Sequence, residues 1–309
     1  FLRVAILVSP SSRIEEWAAE LWAQMPNEDL RVWPEVGDPA EIEYMIAWRM
    51  SRADLATLPN LQCILCQGAG TEQWQKPGID VPVVRLADPE MANEMAGYAV
   101  AWVLRHQRRF SELEAAQRRG EWKVLEHTQP YKYRVGVLGY GEIGSRISRA
   151  FGDLGYVVNA WTRSGRDEER VTHYAGHDEL EDFLGNSDAV INVLPSTDAT
   201  AGLLTPERLA QFVPGSIFVN VGRGTVLADE GDLIEALDNG PIAAAVLDVT
   251  EPEPPADDSP LWTHPAVTLT PHISGMTQVG SAATLIAANI ARLRAGQEPF
   301  PLLDRSLGY

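Results

Sequence analysis

Cysteine is scarce in this sequence, whose 309 residues include two, Cys63 and Cys66. Two cysteines cannot form a disulfide framework, so we expect a reducing compartment and a cytoplasmic location. Their C-x-x-C spacing lies in the apolar run Leu-Gln-Cys-Ile-Leu-Cys, which predicts a buried strand. Residues three apart on a strand point to opposite faces, so we interpret both cysteines as core residues and not as a redox pair.

Long apolar runs and positive charge are also lacking. No apolar stretch approaches the roughly 20 residues of a membrane span, and the first apolar run ends at Ser9-Pro10, so we expect no signal peptide. Lysine and arginine number 25 against 43 aspartates and glutamates, a formal net charge of −18. Such a surface repels phosphate backbones and anionic lipids, which argues against nucleic-acid and membrane partners. It does not exclude a small anionic substrate, because a pocket can carry its own positive groups.

Strand and helix patterns alternate along the chain, which predicts an α/β fold with parallel sheets. At roughly 150 residues per domain, the length suggests two domains. Ser12 and Glu15 have the spacing of a capping box ahead of the first helix, and an apolar stripe predicts one long helix from Met91 to Arg119. Strands are predicted at Leu2–Val8, Leu30–Trp33, Tyr44–Ala47, Leu61–Cys66, Val83–Leu86, Arg134–Leu138, Val157–Trp161, Ala189–Val193, Ser216–Asn220, Ile242–Leu247 and Val267–Leu269.

A G-x-G-x-x-G motif directly follows one of these strands and opens a helix, which is the context of a dinucleotide-binding fingerprint. In such a motif the first glycine permits the tight turn and the second lets the backbone approach a pyrophosphate, while the third allows close helix–strand packing. The helix N-terminus supplies free N–H groups and a partial positive charge. The predicted cofactor-binding residues here are Gly139, Tyr140, Gly141, Glu142, Ile143 and Gly144.

The next strand indicates which dinucleotide binds. NAD-dependent sites usually end this strand with an acid that holds the ribose diol. Here it ends with Trp161, Thr162, Arg163 and Ser164, and Arg166 follows. Guanidinium and hydroxyl groups suit a 2′-phosphate, so we predict NADP(H) in preference to NAD(H). The alternative is that both arginines are solvated loop charges.

Three further strands each deliver polar residues to their carboxyl ends, where ligands bind in open α/β sheets. Arg223 follows one strand, Glu251 and Glu253 follow the next, and His272 follows the last. Arginine can hold a carboxylate with two hydrogen bonds. Histidine can protonate a carbonyl oxygen while hydride reaches its carbon, and a nearby glutamate would orient the ring. Beside a nicotinamide, these groups predict a hydride-transfer site.

Together these motifs resemble the D-isomer-specific 2-hydroxyacid dehydrogenases, and within that family the glyoxylate/hydroxypyruvate reductase A branch. The resemblance covers nearly the whole chain and includes the terminal Asp304-Arg-x-x-Gly-Tyr. It implies a Rossmann dinucleotide-binding domain, residues 95–278, inserted in a flavodoxin-like substrate domain, residues 1–94 plus 279–309. It also implies a homodimer, for which the predicted helix 91–119 and the arm 121–130 are candidate interface elements.

The resemblance implies roles for individual residues. Arg223 would bind the carboxylate and carbonyl of a 2-oxo acid, and His272 would be the acid in reduction and the base in oxidation. Of the two glutamates, Glu253 has the family position that pairs with the histidine. Asp248 would contact the nicotinamide carboxamide. Further cofactor contacts are implied at Leu194, Pro195, Val221 and Gly222, and further substrate contacts at Trp48, Gly68, Ala69 and Gly70.

The implied function is the NADPH-dependent reduction of a small 2-oxo acid, such as glyoxylate or hydroxypyruvate, to the D-2-hydroxy acid. Thr71, Glu72 and Thr250 depart from the commoner family residues and leave the pocket's size open, so bulkier acids such as phenylpyruvate are an alternative. A formate dehydrogenase would call for glutamine at position 253. A non-catalytic dinucleotide sensor or corepressor is the alternative from another class. We predict no metal site.

Overall fold

The computed structural model describes residues 5–9, 11–75, 78–166 and 168–308. The chain divides into two compact units. The terminal unit consists of Phe1–Glu90 and Thr277–Tyr309, and the central unit is Met91–Met276. Both are α/β, and residues 2–4 of the predicted first strand lie outside the described residues.

The alternation of strands and helices runs through both units. The strands are β1 (Ala5–Val8), β2 (Asp29–Val32), β3 (Ile42–Ala47), β4 (Cys63–Cys66), β5 (Val83–Val84), β6 (Arg134–Leu138), β7 (Val157–Thr162), β8 (Val171–Ala175), β9 (Ala189–Asn192), β10 (Ser216–Asn220), β11 (Ile242–Leu247) and β12 (Val267–Leu269). The α-helices are α1 (Ile14–Gln24), α2 (Arg52–Leu55), α3 (Pro89–Gln107), α4 (Phe110–Arg118), α5 (Glu142–Asp153), α6 (Leu180–Gly185), α7 (Pro206–Leu209), α8 (Glu230–Asp238) and α9 (Val279–Arg294).

The terminal unit contains a parallel sheet of order β2-β1-β3-β4-β5 in its described residues. This is the flavodoxin-like order of doubly wound folds. Its central strands are fully buried, as expected for apolar runs covered on both faces. Cys63 and Cys66 are free core residues, and burial raises the pKa of each thiol to about 12, so both stay protonated.

The central unit contains a parallel sheet of order β12-β11-β10-β9-β6-β7-β8 in its described residues. Within this sheet the chain begins with β6 and adds β7 and β8 on one side. It then returns to the other side of β6 and adds β9 to β12. That is the Rossmann order, and its switch point lies between β6 and β9. Phe151, Phe183 and Phe218 are fully buried in this unit. The predicted fold class is therefore confirmed.

Two local predictions are wrong, and one strand was not predicted. The predicted long helix is two helices, because Arg109 has φ 55° in the left-handed region, and an ion pair from Arg105 to Glu114 (2.6 Å) joins α3 to α4 across the break. The predicted capping box does not form, since the N-cap of α1 is Arg13 and no side chain caps it. The edge strand β8 was not predicted. Among the described residues, no helix is both long and apolar enough to span a membrane.

Candidate active site

The loop between β6 and α5 forms a backbone cradle. Gly139 has φ +103°, which favours glycine, and its N–H donates to the carbonyl of Trp161 (2.9 Å). A Cβ on Gly144 would lie 1.9 Å from the Gly139 oxygen, so the helix can approach the strand this closely only with glycine. Gly141 is the N-cap of α5, no side chain caps it, and a Cβ there would meet open space. This geometry suits a pyrophosphate above the helix N-terminus.

Polar groups surround the end of β7 next to this cradle. Arg163 and Ser164 are exposed, and the buried Thr162 Oγ1 has no hydrogen-bond partner in the part of the chain that the structure describes. The Trp161 indole N–H donates to the Gly176 carbonyl (2.7 Å), which fixes the ring at the strand tip. The described donors at this tip include a guanidinium and hydroxyls, as a 2′-phosphate would need.

The structure also places an acidic residue, Glu168, next to the glycine motif, which was not predicted from the sequence. Tyr140, between the first two glycines of the motif, is buried and donates its hydroxyl to Glu168 (2.8 Å). Burial and this hydrogen bond raise the pKa of Tyr140 to about 12, so it remains a donor at neutral pH. The Arg166 guanidinium lies 5.9 Å from the centre of the Tyr140 ring. The Glu168 carboxylate is thus hydrogen-bonded to a protein side chain.

A pair of buried asparagines fixes the loops after β9 and β10. Asn192 donates its amide N–H to the side-chain oxygen of Asn220 (2.8 Å), and both residues are fully buried. The side-chain oxygen of Asn192 accepts from Leu194 N (3.1 Å), and that of Asn220 accepts from Gly222 N (3.2 Å). The Asn220 amide also donates to the carbonyl of Arg223 (3.0 Å). The hydrogen bonds of the Asn192 and Asn220 side chains therefore hold both predicted cofactor loops, which include Pro195 and Val221.

Close backbone contacts continue along the same sheet edge. A Cβ on Gly222 would lie 2.7 Å from the Leu194 oxygen, and one on Gly224 would lie 2.1 Å from the Thr250 carbonyl carbon. Arg223 lies between these two glycines, is half-buried, and donates from Nη1 to the Gly222 carbonyl (2.7 Å). The loop that carries Arg223 thus packs directly on the loop that leads to Glu253.

His272 and Glu253 meet at this edge. His272 Nδ1 lies 2.8 Å from Glu253 Oε1, and both side chains are 44% exposed. Of the two glutamates that the sequence offers, Glu253 is the one whose contact with His272 the structure describes. A carboxylate at Nδ1 orients the ring and leaves Nε2 for a ligand. His272 has φ 55°, which is uncommon for a residue with a side chain and occurs mostly where surrounding bonds impose it.

Asp248 supports the loop that carries His272. The residue is 1% exposed, and its carboxylate accepts from Thr270 Oγ1 (2.6 Å), Ile273 N (2.8 Å) and Ser274 N (2.8 Å). Its carbonyl accepts from His272 N (3.0 Å). A carboxylate has about four acceptor positions, so one remains for a further donor.

The remaining predicted substrate residues lie in the terminal unit. Gly68 packs against the Trp48 indole, since a Cβ there would lie 2.3 Å from the ring. Gln73 holds this loop by donating its amide to the carbonyls of Trp48 (2.6 Å) and Gly70 (3.3 Å). Ala69 is exposed between two buried glycines. Trp48 follows β3 and the glycine loop follows β4, so both lie at one edge of the terminal sheet.

Comparison with known proteins identifies the family. A family model described as D-isomer specific 2-hydroxyacid dehydrogenase, NAD binding domain, matches residues 100–274. Over 98% of its length the chain is 37% identical to the glyoxylate/hydroxypyruvate reductase A of Serratia proteamaculans, of which it covers 99%. The chain belongs to the D-isomer-specific 2-hydroxyacid dehydrogenases. The family and branch predicted from the sequence are confirmed, and so is the enzyme class, an oxidoreductase acting on a CH–OH group.

Solved structures of this dehydrogenase family share the whole fold. One from Xanthobacter autotrophicus Py2, in complex with NADPH and MES, has a TM-score of 0.92 and 37% identity, with 98% of this chain and 99% of that chain covered. An NADPH-dependent glyoxylate/hydroxypyruvate reductase from Sinorhizobium meliloti, in complex with NADP and sulfate, has a TM-score of 0.91 and 29% identity, with 99% of each chain covered.

Several residues that shape the dehydrogenase site were not predicted. Asn192 and Asn220 are the last residues of their strands, and a lone amide ending an apolar run was a signal in the sequence. Thr270 and Tyr98 gave no such signal, because their hydrogen bond joins positions 172 residues apart. Their importance is visible only in the folded chain.

Proposed function

We propose that this dehydrogenase reduces a small 2-oxo acid to the D-2-hydroxy acid, with NADPH as the cofactor and His272 as the proton donor. The observation that carries the proposal is the 2.8 Å contact between His272 Nδ1 and Glu253 Oε1 at the strand edge that also carries Arg223. The related structures that contain NADPH or NADP support the cofactor, and the relatives' names support the substrate class.

The described residues fit NADP(H). The Gly139–Gly144 cradle has room above Gly141 and an uncapped helix N-terminus for the pyrophosphate. Thr162, Arg163 and Ser164 would bind the 2′-phosphate, with Trp161 and Tyr140 as flanking rings. The loops at Leu194–Pro195 and Val221–Gly222 would line the nicotinamide half, and Asp248 would use its remaining acceptor position on the carboxamide. When bound, NADPH supplies the hydride.

The protein groups then have separate roles. Arg223 binds the substrate carboxylate and polarises the carbonyl, since a guanidinium offers paired donors in one plane. Glu253 holds the His272 ring through its contact with Nδ1. His272 Nε2 donates its proton to the carbonyl oxygen as that oxygen gains negative charge. The reverse reaction uses the same residue as the base.

The terminal unit would contribute to substrate choice. The backbone N–H groups of Ala69 and Gly70 are donors for a carboxylate, with Gly68 and Trp48 packed beside them.

The test is steady-state oxidation of NADPH and NADH with glyoxylate, hydroxypyruvate, pyruvate and phenylpyruvate, followed by chiral analysis of the product. We expect fast NADPH oxidation with the small acids and a D product. His272→Ala should abolish turnover while NADPH still binds, and Glu253→Gln should lower kcat by about 10–100-fold. Tight NADPH binding with no turnover on any acid would contradict the proposal and favour the sensor alternative.

We also propose a homodimer in the cytoplasm. The arm that follows α4 exposes large apolar side chains, with Trp122 100%, Val124 86% and Tyr131 66% exposed. Neighbouring exposed apolar groups of this size mark an interaction surface. Sedimentation of the wild type and of Trp122→Glu checks the dimer, which should dissociate in the variant. The two free thiols suit a reducing compartment.

A further inference from the structure

The loop that carries His272 is held in an unusual conformation. His272 has φ 55°, and its N–H points to the carbonyls of Asp248 and Thr270, each at 3.0 Å. A residue with a side chain stays in this region only when its surroundings impose it. The groups that impose it therefore set the direction of the imidazole.

The Asp248 carboxylate holds the loop on both sides of His272. It accepts from Thr270 Oγ1 two residues before the histidine, and from the N–H groups of Ile273 and Ser274 just after it. Because the carboxylate is buried, these bonds are stronger than they would be in water. The Thr270 hydroxyl thus helps to fix the Asp248 carboxylate, which holds the loop around the histidine.

Tyr98 on α3 fixes that hydroxyl. Its phenolic oxygen lies 2.6 Å from Thr270 Oγ1. Thr270 gives its only hydroxyl hydrogen to Asp248, so Tyr98 must be the donor in the contact between the two hydroxyls. Burial raises the pKa of Tyr98 above its ordinary value, which keeps the donor protonated.

The same face of α3 also holds the far end of the loop. Glu94, one turn before Tyr98, accepts from Met276 N (3.1 Å). Met95 packs on Gly275, where a Cβ would lie 2.4 Å from the methionine side chain. One helix therefore supports the segment 270–276 at both ends, with the histidine between the supports.

We propose that Tyr98 is a positioning residue for the reduction, which directs His272 through the hydroxyl of Thr270 and the carboxylate of Asp248. The inference rests on the proposed role of His272 as the proton donor. Tyr98 touches neither substrate nor cofactor in this proposal. Removal of the Tyr98 hydroxyl should lower kcat, because kcat depends on the direction of the imidazole. The affinity for NADPH does not depend on that direction and should stay almost unchanged.

The experiment compares Tyr98→Phe with Tyr133→Phe. Tyr133 is a matched control, since its buried hydroxyl also donates one hydrogen bond, to the Asp188 carbonyl (3.2 Å), at the opposite end of the strands. We expect Tyr98→Phe to lower kcat about 3–10-fold, the equivalent of one hydrogen bond. The Kd for NADPH, measured by fluorescence titration, and the KM for the 2-oxo acid should remain near the wild-type values. Tyr133→Phe should keep the wild-type kcat.

A second pair tests the same contacts without changing the helix. Thr270→Val removes the hydroxyl at nearly constant shape and should lower kcat at least as much as Tyr98→Phe, whereas Thr270→Ser restores the hydroxyl and should recover most of that loss. Equal kcat values for Tyr98→Phe and Tyr133→Phe, or for the valine and serine variants, would overturn the inference. His272→Ala in the same assay separates the two proposals: if it keeps turnover, the proposed function itself fails.

Discussion

Gly144→Ala tests how closely α5 must approach β6. The added Cβ would lie 1.9 Å from the Gly139 oxygen, whereas real Cβ contacts essentially never fall below 3.0 Å. The helix or the loop must therefore move by about 1.1 Å, and neither end of the contact is a flexible side chain. Overpacking of this kind costs about 3 kcal/mol, which in a domain of this size lowers Tm by about 6–12 °C.

The same movement displaces the N–H groups proposed for the pyrophosphate, so the Kd for NADPH should rise about tenfold or more. Gly152→Ala is the matched control on the same helix, because a Cβ there meets nothing within 4 Å. It should raise stability by up to about 1 kcal/mol, since alanine loses less backbone entropy than glycine. Thermal unfolding by circular dichroism and NADPH titration measure both effects. Similar results for the two variants would refute the reasoning from the 1.9 Å contact.

Three further predictions concern other parts of the chain. Gly224→Ala should lower kcat at least tenfold, because the added Cβ would displace the Arg223 loop from Thr250. A wild-type kcat would contradict this, since it would mean that the loops move without displacing Arg223. Arg163→Ala should raise the KM for NADPH and leave that for NADH unchanged, so an unaltered NADPH/NADH ratio of kcat/KM contradicts the 2′-phosphate contact. Cys63 and Cys66, with thiol pKa values near 12, should resist alkylation in mildly alkaline buffer until the protein unfolds; fast labelling of the folded protein counts against this.

Strands buried on both faces were predictable from the sequence. The bounds of β6 and β10 agree with the sequence prediction, because each is a largely buried apolar run that ends in a polar residue or a turn. The edge strand β8 was not predictable in this way, since its polar residues, such as Thr172, give no buried face. The break at Arg109 has no glycine or proline to mark it, and it depends on contacts that each helix makes elsewhere.

The candidate site was predictable as a set of residues but not as a structure. Spacing after the strands indicated Arg223 and His272, and left two glutamates open. Only the fold shows that Glu253 reaches the histidine. Asp248 was predicted as a cofactor contact, and its bonds to residues 22–26 positions later, which hold the His272 loop, depend on the pairing of β11 with β12.

The pair of asparagines at the ends of β9 and β10 has a consequence for protein engineering. One hydrogen bond between the two side-chain amides joins the loop with Leu194 to the loop with Arg223. A redesign of the nicotinamide contacts at the first loop will therefore move the arginine on the second, and variation of one loop alone will lower the activity that depends on the other. The nicotinamide and substrate contacts at this edge are best varied together, with Asn192 and Asn220 held constant.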